Sequence, residues 1–347
     1  MRILMVGPAR TVNGGISAVV NNYYDAGLDK KVEIEYIGTM EDGSKWHKLY
    51  VAIRAFVKFI FCVPKYELVH VHMASDISIY RKLPFIWLTA VYGKKLIIHQ
   101  HGGDVKHFLY AECGIKRREF IKKILQKADV FLVVAPFLKD VFKDIIEENK
   151  IIVFPNAIQI PKEINPNYKE QNILFLGRIC RQKGIYELLD AVEMLKIEFP
   201  KLNLFLGGIW EEEELEKKAE ECGEFVQYLG WVNKEEKDAY LQKCNVFVLP
   251  TYFEGLPMSL LEGMAYGCAC IASAVGGIPQ IMINEENGLM IQEKNVKALA
   301  EAIRKLFNNP ELQKKLGTNG RKTVEDNFEI NNSVLKLMQI YKGVRDK

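Results

Sequence analysis

Twelve short apolar runs, rich in Val, Ile and Leu, recur along the chain with longer helical stretches between them. Runs of this kind predict strands that are buried on both faces, and such strands occur in parallel sheets covered by helices. They cover residues 2–6, 33–37, 68–72, 95–99, 130–134, 151–154, 172–176, 202–206, 226–229, 246–249, 270–272 and 288–291. The sequence therefore predicts an α/β protein with doubly wound parallel sheets.

The chain has 347 residues, which is long for one hydrophobic core and suits two domains of about 150 to 200 residues. Between the sixth and seventh runs, residues 155–168 hold several Pro and Asn residues that break any regular period. We expect a Rossmann-like N-terminal domain at 1–160, a second at 161–328, and a C-terminal helix at 329–347. In that helix Leu335, Met338 and Tyr341 have helical spacing, which leaves open the domain on which it packs.

The composition, with 49% hydrophobic and 26% charged residues, is that of an ordinary globular protein. The first apolar run is too short for a signal peptide. Seven cysteines, an odd number with no Cys-x-x-Cys pair, favour neither disulfides nor a zinc site and suit a reducing cytoplasm. The alternating histidines His70, His72, His99 and His101 are interpreted as marking strand ends, and no metal is expected.

Charge is unevenly distributed. Residues 1–160 hold 23 Lys/Arg against 16 Asp/Glu, and the remaining residues hold 24 against 28, within a formal net charge of +3. A nucleic-acid-binding protein would show a stronger basic stripe and a recognisable module, so nucleic acid is not expected. An anionic small molecule or a membrane surface is the better partner for the basic half.

Two segments of the second half combine charged side chains with a strand-to-helix junction. The run from Glu254 to Glu262 follows the strand at 246–249, and Pro257 fits the first turn of the next helix. The segment 177–184 follows the strand at 172–176 and carries Arg178 and Lys183. Open α/β sheets bind ligands at such junctions, where free backbone N–H groups and the positive end of a helix dipole meet. Two cations there suit a diphosphate, although a solvated loop is the alternative for 177–184 alone.

These segments resemble the Gly-Arg-x(4)-Lys-Gly and Glu-x(7)-Glu motifs of the retaining, nucleotide-sugar-dependent glycosyltransferases of family four, the glycosyl transferases group 1. The resemblance implies a GT-B fold, with two facing Rossmann-like domains and a cleft between them, and covers nearly the whole chain. It implies that the N-terminal domain binds the acceptor and the C-terminal domain the nucleotide sugar. Arg178 and Lys183 would hold the donor diphosphate, Glu254 would lie against the donor sugar, and Glu262 would accept hydrogen bonds from the ribose. The segment between the two carboxylates would complete the donor site: Gly255, Leu256, Pro257 and Met258.

Two segments of the first half match the family less specifically. Gly14 and Gly15 follow the first strand, and similar proteins use this loop near the donor phosphate and the acceptor. His101 matches a family histidine that contacts the donor sugar from the opposite domain. Purely structural roles, as a turn and as a capping or core histidine, are the alternatives. Gln280 stands where the family's Gly-Gly-x-Pro-Glu segment has Glu, so the resemblance implies no ionic role at this position.

The reaction implied by the resemblance moves a hexose-type sugar to an acceptor hydroxyl with retention at the anomeric carbon. Arg178, Lys183 and helix amides would stabilise the departing diphosphate, so neither a divalent metal nor another cofactor is expected. Same-face attack is favoured over a covalent intermediate. UDP is favoured over GDP, and a lipid-linked saccharide of bacterial cell-surface polysaccharide synthesis is the expected acceptor.

Residues 45–61 form an apolar and basic segment with helical spacing. Arg54 and Lys58 interrupt it, so it does not predict a membrane span. It suits a helix lying on an anionic membrane surface, and a helix packed against the sheet is the alternative. The protein is thus expected in the cytoplasm, with a peripheral position on the inner face of the plasma membrane if the first interpretation holds.

Two rival functions remain. One is a nucleotide-sugar epimerase on the same scaffold. The other is a non-catalytic nucleotide-sugar-binding partner of a membrane assembly complex. The intact Arg178, Lys183, Glu254 and Glu262 favour sugar transfer over both.

Overall fold

A computed structural model describes residues 1–346 and divides them into two compact units. Unit 1 comprises Met1–Gln159 together with the C-terminal segment from Ile330, and unit 2 comprises Ile160–Glu329. Each unit holds one six-stranded sheet in which every pairing is parallel. The predicted α/β class with doubly wound parallel sheets is confirmed.

The sheet of unit 1 has the order β2-β1-β3-β4-β5-β6. Its strands are β1 (Arg2–Gly7), β2 (Glu33–Gly38), β3 (Leu68–Met73), β4 (Lys95–Gln100), β5 (Val130–Val133) and β6 (Ile151–Val153). The helices between them are α1 (Gly15–Asp25), α2 (Leu28–Lys31), α3 (Lys45–Cys62), α4 (Ile77–Val91), α5 (Val105–His107), α6 (Ile115–Leu125) and α7 (Pro136–Phe142). The strand order reverses beside β1, which makes the β1 loop a topological switch point.

The sheet of unit 2 has the order β12-β11-β10-β7-β8-β9. Its strands are β7 (Asn172–Leu176), β8 (Asn203–Gly207), β9 (Val226–Gly230), β10 (Val246–Leu249), β11 (Ala269–Ser273) and β12 (Leu289–Ile291). Its helices are α8 (Ile185–Leu195), α9 (Glu213–Glu221), α10 (Lys234–Lys243), α11 (Met258–Ala265), α12 (Val296–Phe307) and α13 (Pro310–Asn327). The order reverses between β7 and β10, so the loops after these two strands meet at the switch point.

Side-chain caps define several helix starts. Asn233 accepts a hydrogen bond from the Glu236 backbone N–H, and the Glu236 carboxylate accepts one from the Asn233 backbone N–H, which forms a capping box before α10. Ser44 caps α3 through the His47 N–H, and Asn309 caps α13, whose first residue is a proline. These short-range signals fix where the chain leaves a loop for a helix.

The C-terminal helix α14 (Ile330–Arg345) belongs to unit 1. Its first N–H donates to the Ile158 carbonyl at 3.0 Å, and the Tyr341 hydroxyl lies 2.7 Å from His70 Nδ1. The buried face is formed by Val334, Leu337, Tyr341 and Val344, whereas Leu335 is exposed. The helical prediction is confirmed, and of the three residues noted for their helical spacing Tyr341 is buried, Met338 is partly exposed and Leu335 is exposed.

The seven cysteines are free thiols, and six of them are buried. No helix within residues 1–346 is long and apolar enough to cross a membrane.

Candidate active site

Lys183 and Glu254 form an ion pair at the switch point of unit 2. Lys183 Nζ donates to Glu254 Oε1, and the two side chains are only 18% and 14% exposed. Lys183 stands in the loop after β7 and Glu254 in the loop after β10, 71 residues apart in sequence. The structure therefore brings together two residues that the sequence predicted for one site.

The two loops are tied to each other by backbone contacts. Gly184 has a φ of +71°, and a Cβ built there would lie 2.0 Å from the Pro250 carbonyl oxygen. The Tyr252 N–H donates to the Gln182 carbonyl at 2.9 Å. Only glycine allows this left-handed conformation with a carbonyl so close. Lys183 is thus held against the end of β10 by its neighbour.

A second glycine supports Glu254 from the other side. Gly276, with a φ of +55°, packs on the Glu254 backbone, where a Cβ would lie 1.8 Å from the carbonyl oxygen. The Gly277 N–H donates to the same oxygen at 3.2 Å. In the sequence this segment was noted only for Gln280, and its contact with Glu254 was not predicted. The Gly-Gly pair was the sequence feature that could have indicated a close backbone contact.

Arg178 pairs with an acidic residue that the sequence did not single out. Its Nη1 lies 3.1 and 3.2 Å from the two carboxylate oxygens of Glu211, and more than half of the side chain is exposed. An exposed pair of this kind contributes little to folding stability. The guanidinium retains donors for a further anion because arginine has five N–H groups.

Glu262 lies on α11 and pairs with Lys237 of α10 at 2.5 Å. The two carboxylates of the motif therefore have different partners, and Lys237 was not predicted. The helix α11 begins directly after Pro257 and has no side-chain cap. Pro257 has no N–H, so any backbone donors near this end come from its neighbours Gly255, Leu256 and Met258. Gly255, Leu256 and Pro257 are buried, and Met258 is partly exposed.

In unit 1, Gly14 and Gly15 open helix α1. Gly14 is extended, with a φ of 178°, and a Cβ at either position would meet no atom within 4 Å. Neither the backbone conformation nor local packing therefore requires glycine here. The space beside both glycines is open, which would allow a ligand to approach the backbone closely.

His101 follows β4 and belongs to a cluster of four histidines. His70, His72 and His99 lie inside β3 and β4, so the interpretation as strand ends is wrong for these three. Alternation places side chains two residues apart on one face, and the register pairs His72 with His99 across the strands. His72 Nδ1 lies 2.8 Å from His101 Nε2. Tandem alternation on neighbouring strands was the signal for this cluster.

Burial lowers the pKa of His70 and of His101 to about 3, and the Asn156 side chain offsets part of the effect at His101. Burial also lowers the pKa of His72 and of His99. All four imidazoles are therefore neutral at physiological pH. A neutral His101 can donate or accept a hydrogen bond but carries no charge towards a ligand.

His70, His72 and His99 are the one group within residues 1–346 that could hold a metal ion, with ligand nitrogens within 4.8 Å of one another. Their rings are inclined to one another by only 8° to 36°. Ring-nitrogen lone pairs lie in the ring plane, so the nearly parallel rings of His70 and His99 do not aim theirs at one point, whereas His72 is tilted by 33° and 36° from these rings. That the protein needs no metal remains a prediction.

Unit 1 also holds an open cavity of about 480 Å³ beside the ends of β1 and β2. Three basic side chains and one acidic side chain line this cavity. Its lining includes Arg10, Tyr36, Glu41, Arg54 and Lys58. Arg54 pairs with Glu41 at 3.4 Å, and Lys58 pairs with Glu35 at 2.7 Å.

Comparisons with known proteins identify the family to which this chain is related. Residues 156–323 match the model for "Glycosyl transferases group 1". An uncharacterized glycosyltransferase of Methanocaldococcus jannaschii is 30% identical over 256 residues, which are 72% of this chain and 69% of that protein. The capsular polysaccharide biosynthesis glycosyltransferase CapM of Staphylococcus aureus is 29% identical over 55% of this chain and 54% of its own.

Among solved structures, Anabaena HepE in complex with UDP-glucose superposes with a TM-score of 0.78 at 14% identity, covering 98% of this chain and 99% of that one. This likeness concerns the fold and confirms the predicted GT-B class. The sequence matches, with the match to the M. jannaschii protein extending over two thirds of both chains, show that this chain belongs to the glycosyl transferases group 1 family.

Proposed function

We propose that this glycosyltransferase moves a sugar from a nucleoside-diphosphate sugar to an acceptor hydroxyl with retention and without a divalent metal. The Lys183–Glu254 pair at the β7/β10 switch point carries the proposal. One cation and one carboxylate, both mostly buried, are held by glycine contacts at the position where open α/β sheets bind ligands. The HepE complex with UDP-glucose supports a UDP-sugar as the donor.

Lys183 and Arg178 would bind the diphosphate. Lys183 has three N–H donors and can keep Glu254 while it donates to a phosphate oxygen. Arg178 is exposed and can turn from Glu211 to a phosphate because exposed ion pairs are weak. The N-terminal amides of α11, around Leu256 and Met258, would add further donors to the anion.

Glu262 would accept hydrogen bonds from the ribose hydroxyls. Its pairing with Lys237 orients the carboxylate, and hydrogen bonds to a carboxylate are stronger than those between neutral groups. Glu254 would contact the donor sugar. In unit 1, His101 would contact the sugar as a neutral imidazole, and Gly14 and Gly15 would allow a phosphate to approach the backbone.

The chemical step follows from these roles. The acceptor oxygen bonds to the anomeric carbon on the face from which the diphosphate oxygen departs, and the acceptor proton passes to that departing phosphate oxygen. Negative charge grows on the diphosphate as its bond to the sugar breaks. Preorganised cations there lower the barrier, and removing one such stabiliser costs on the order of 10²-fold or more in turnover.

The acceptor is proposed to be a lipid-linked saccharide used in cell-surface polysaccharide synthesis. The likeness to CapM supports this class. The cavity beside β1 and β2, with Arg10, Arg54 and Lys58 in its lining, has the cations that an acceptor phosphate would need. A cytoplasmic protein on the inner face of the plasma membrane would meet both the nucleotide sugar and such an acceptor.

A panel of UDP- and GDP-sugars tests the proposal, with thermal shift for binding and release of the nucleoside diphosphate for turnover, in the presence of EDTA. We expect one donor to stabilise the protein and to be hydrolysed slowly without acceptor. Epimerisation of the nucleotide sugar without acceptor would identify an epimerase instead. Binding with no hydrolysis or transfer across the panel would indicate a non-catalytic partner.

A further inference from the structure

Helix α3 has two apolar faces. Val51, Ala55 and Phe59 are buried against the rest of unit 1. A second apolar row, about 180° away around the helix axis at 3.6 residues per turn, is exposed to solvent. It consists of Trp46, Leu49, Tyr50, Ile53, Val57 and Phe61. Trp46 is 80% and Phe61 72% exposed, so the packing of α3 in unit 1 leaves this row without a partner.

Two nearby helices also expose apolar side chains, since α4 packs against α3 and α6 packs against α4. Phe56 and Phe59 of α3 contact Phe85 of α4, with ring centroids 5.3 and 5.0 Å apart. Helix α4 exposes Ile77, Tyr80, Trp87 and Val91, which share one face at helical spacing. Helix α6, which packs against α4, exposes Ile115 and Phe120. We define the exposed apolar side chains of α3, α4 and α6 as the three-helix face.

The charged side chains that these helices bring to the surface are mostly basic. Helix α3 holds four Lys or Arg residues, α4 holds Arg81 and α6 holds five, against a single acidic residue, Glu119, whereas Lys82 of α4 is buried. Arg54 and Lys58 are paired with acids from outside these helices. Lys45 and Lys48, beside Trp46, make no ion pair within the part of the chain described by the structure. The apolar row is thus flanked by positive charge.

We propose that the three-helix face binds an anionic lipid bilayer, with α3 lying flat in the interface. Trp and Tyr favour the headgroup level, Ile, Val and Phe reach the acyl boundary, and flanking lysines attract anionic lipids. A second copy of the chain is a poorer occupant because it would bring two positive faces together. Arg54 and Lys58 also line the cavity beside β1 and β2, so a bound bilayer would lie next to it.

The three-helix face is larger than the single segment predicted from sequence, and lipid binding there does not require the proposed reaction. The test is co-sedimentation of the full chain with vesicles of phosphatidylcholine, with and without phosphatidylglycerol, at low and high salt. We expect binding only to the anionic vesicles and weakening by salt. A triple variant, Trp46→Ser/Ile53→Ser/Phe61→Ser, should lower partitioning on the order of 100-fold.

The matched control is Met194→Ser/Ile197→Ser/Ile283→Ser, which removes three exposed apolar side chains from unit 2. It should bind as the wild type does. A second variant, Lys45→Glu/Lys48→Glu, should weaken binding while it leaves the apolar row intact. The unit 2 control and the Lys45→Glu/Lys48→Glu variant should have the wild-type melting temperature and should release nucleoside diphosphate from a donor in solution at the wild-type rate.

The proposal is overturned if the wild type does not bind anionic vesicles at low salt, or if the face variant and the control variant bind equally. It is also overturned if sedimentation shows a wild-type dimer that the face variant converts to a monomer, since the face would then join two copies. If the triple face variant loses lipid binding but still hydrolyses the donor, then lipid binding and the proposed reaction are independent of each other.

Discussion

Gly276→Ala tests whether the Gly276 contact positions Glu254. The alanine Cβ would lie 1.8 Å from the Glu254 carbonyl oxygen, and real Cβ contacts are essentially never below 3.0 Å. The Glu254 backbone must therefore move by at least about 1.2 Å, the difference between the two. A misplacement of about 1 Å can cost on the order of 100-fold in rate. We expect a loss of that order in kcat.

The backbone conformation adds a separate cost. Alanine at a φ of +55° is destabilised by about 1 kcal/mol or slightly more. Gly223→Ala is the matched control, because Gly223 has a φ of +62° in the same unit and a Cβ there would meet nothing within 4 Å. The control should lose a similar backbone term, about 2–4 °C in Tm, and keep wild-type turnover.

The assay is steady-state release of nucleoside diphosphate with Tm measured in parallel. Gly276→Ala should be folded at the assay temperature and slow, and Gly223→Ala folded and fast. If Gly276→Ala turns over as fast as Gly223→Ala, the Glu254 loop is not held by this contact. Equal slowing of both variants would mean that backbone strain, not the displaced carboxylate loop, sets the rate.

Two further predictions concern the carboxylates and the histidines. Glu262→Gln should mainly raise KM for the donor and Glu254→Gln mainly lower kcat, with Lys237→Met resembling Glu262→Gln; the reverse division in steady-state kinetics would contradict the assigned roles. Because burial lowers the pKa of His70 and His101 to about 3 from a usual 6.5, the unfolded state binds more protons between these values. The contribution of these two imidazoles to the free energy of unfolding should therefore be complete above about pH 6.5. Below that pH the free energy of unfolding should decrease, by up to about 1.4 kcal/mol per pH unit for each imidazole. Thermal melts at pH 7 and pH 5 check this, and His70→Phe should reduce the slope; a pH-independent Tm would show that the cluster is not buried as neutral imidazoles.

The sequence predicted the sheets well because strands buried on both faces leave a strong local signal. All twelve apolar runs are strands, with bounds that differ by at most one residue at either end. The buried face of α14 could not be predicted, since Leu335 and Val334 are both apolar and only packing on unit 1 selects Val334.

Residues of the site were predictable where they lie within one motif. Lys183 and Glu254 lie in separate loops, and their contact follows from the strand order, in which β10 pairs directly with β7. Lys237 and Glu211 carried no motif, because surface lysines and glutamates are common and only the tertiary fold places them beside Glu262 and Arg178. The histidine cluster likewise needs the register of β3 and β4.

The central claim is that Arg178 and Lys183 stabilise the departing diphosphate without a metal. The most direct test is the rate of nucleoside diphosphate release in EDTA by an Arg178→Ala/Lys183→Ala double variant. The control is Arg304→Ala/Lys305→Ala, which removes two ion-paired cations from α12 in the same unit. We predict a loss on the order of 10²-fold or more for the first variant and a wild-type rate for the control. A rate near that of the wild type for Arg178→Ala/Lys183→Ala, or abolition of wild-type turnover by EDTA, would contradict the claim.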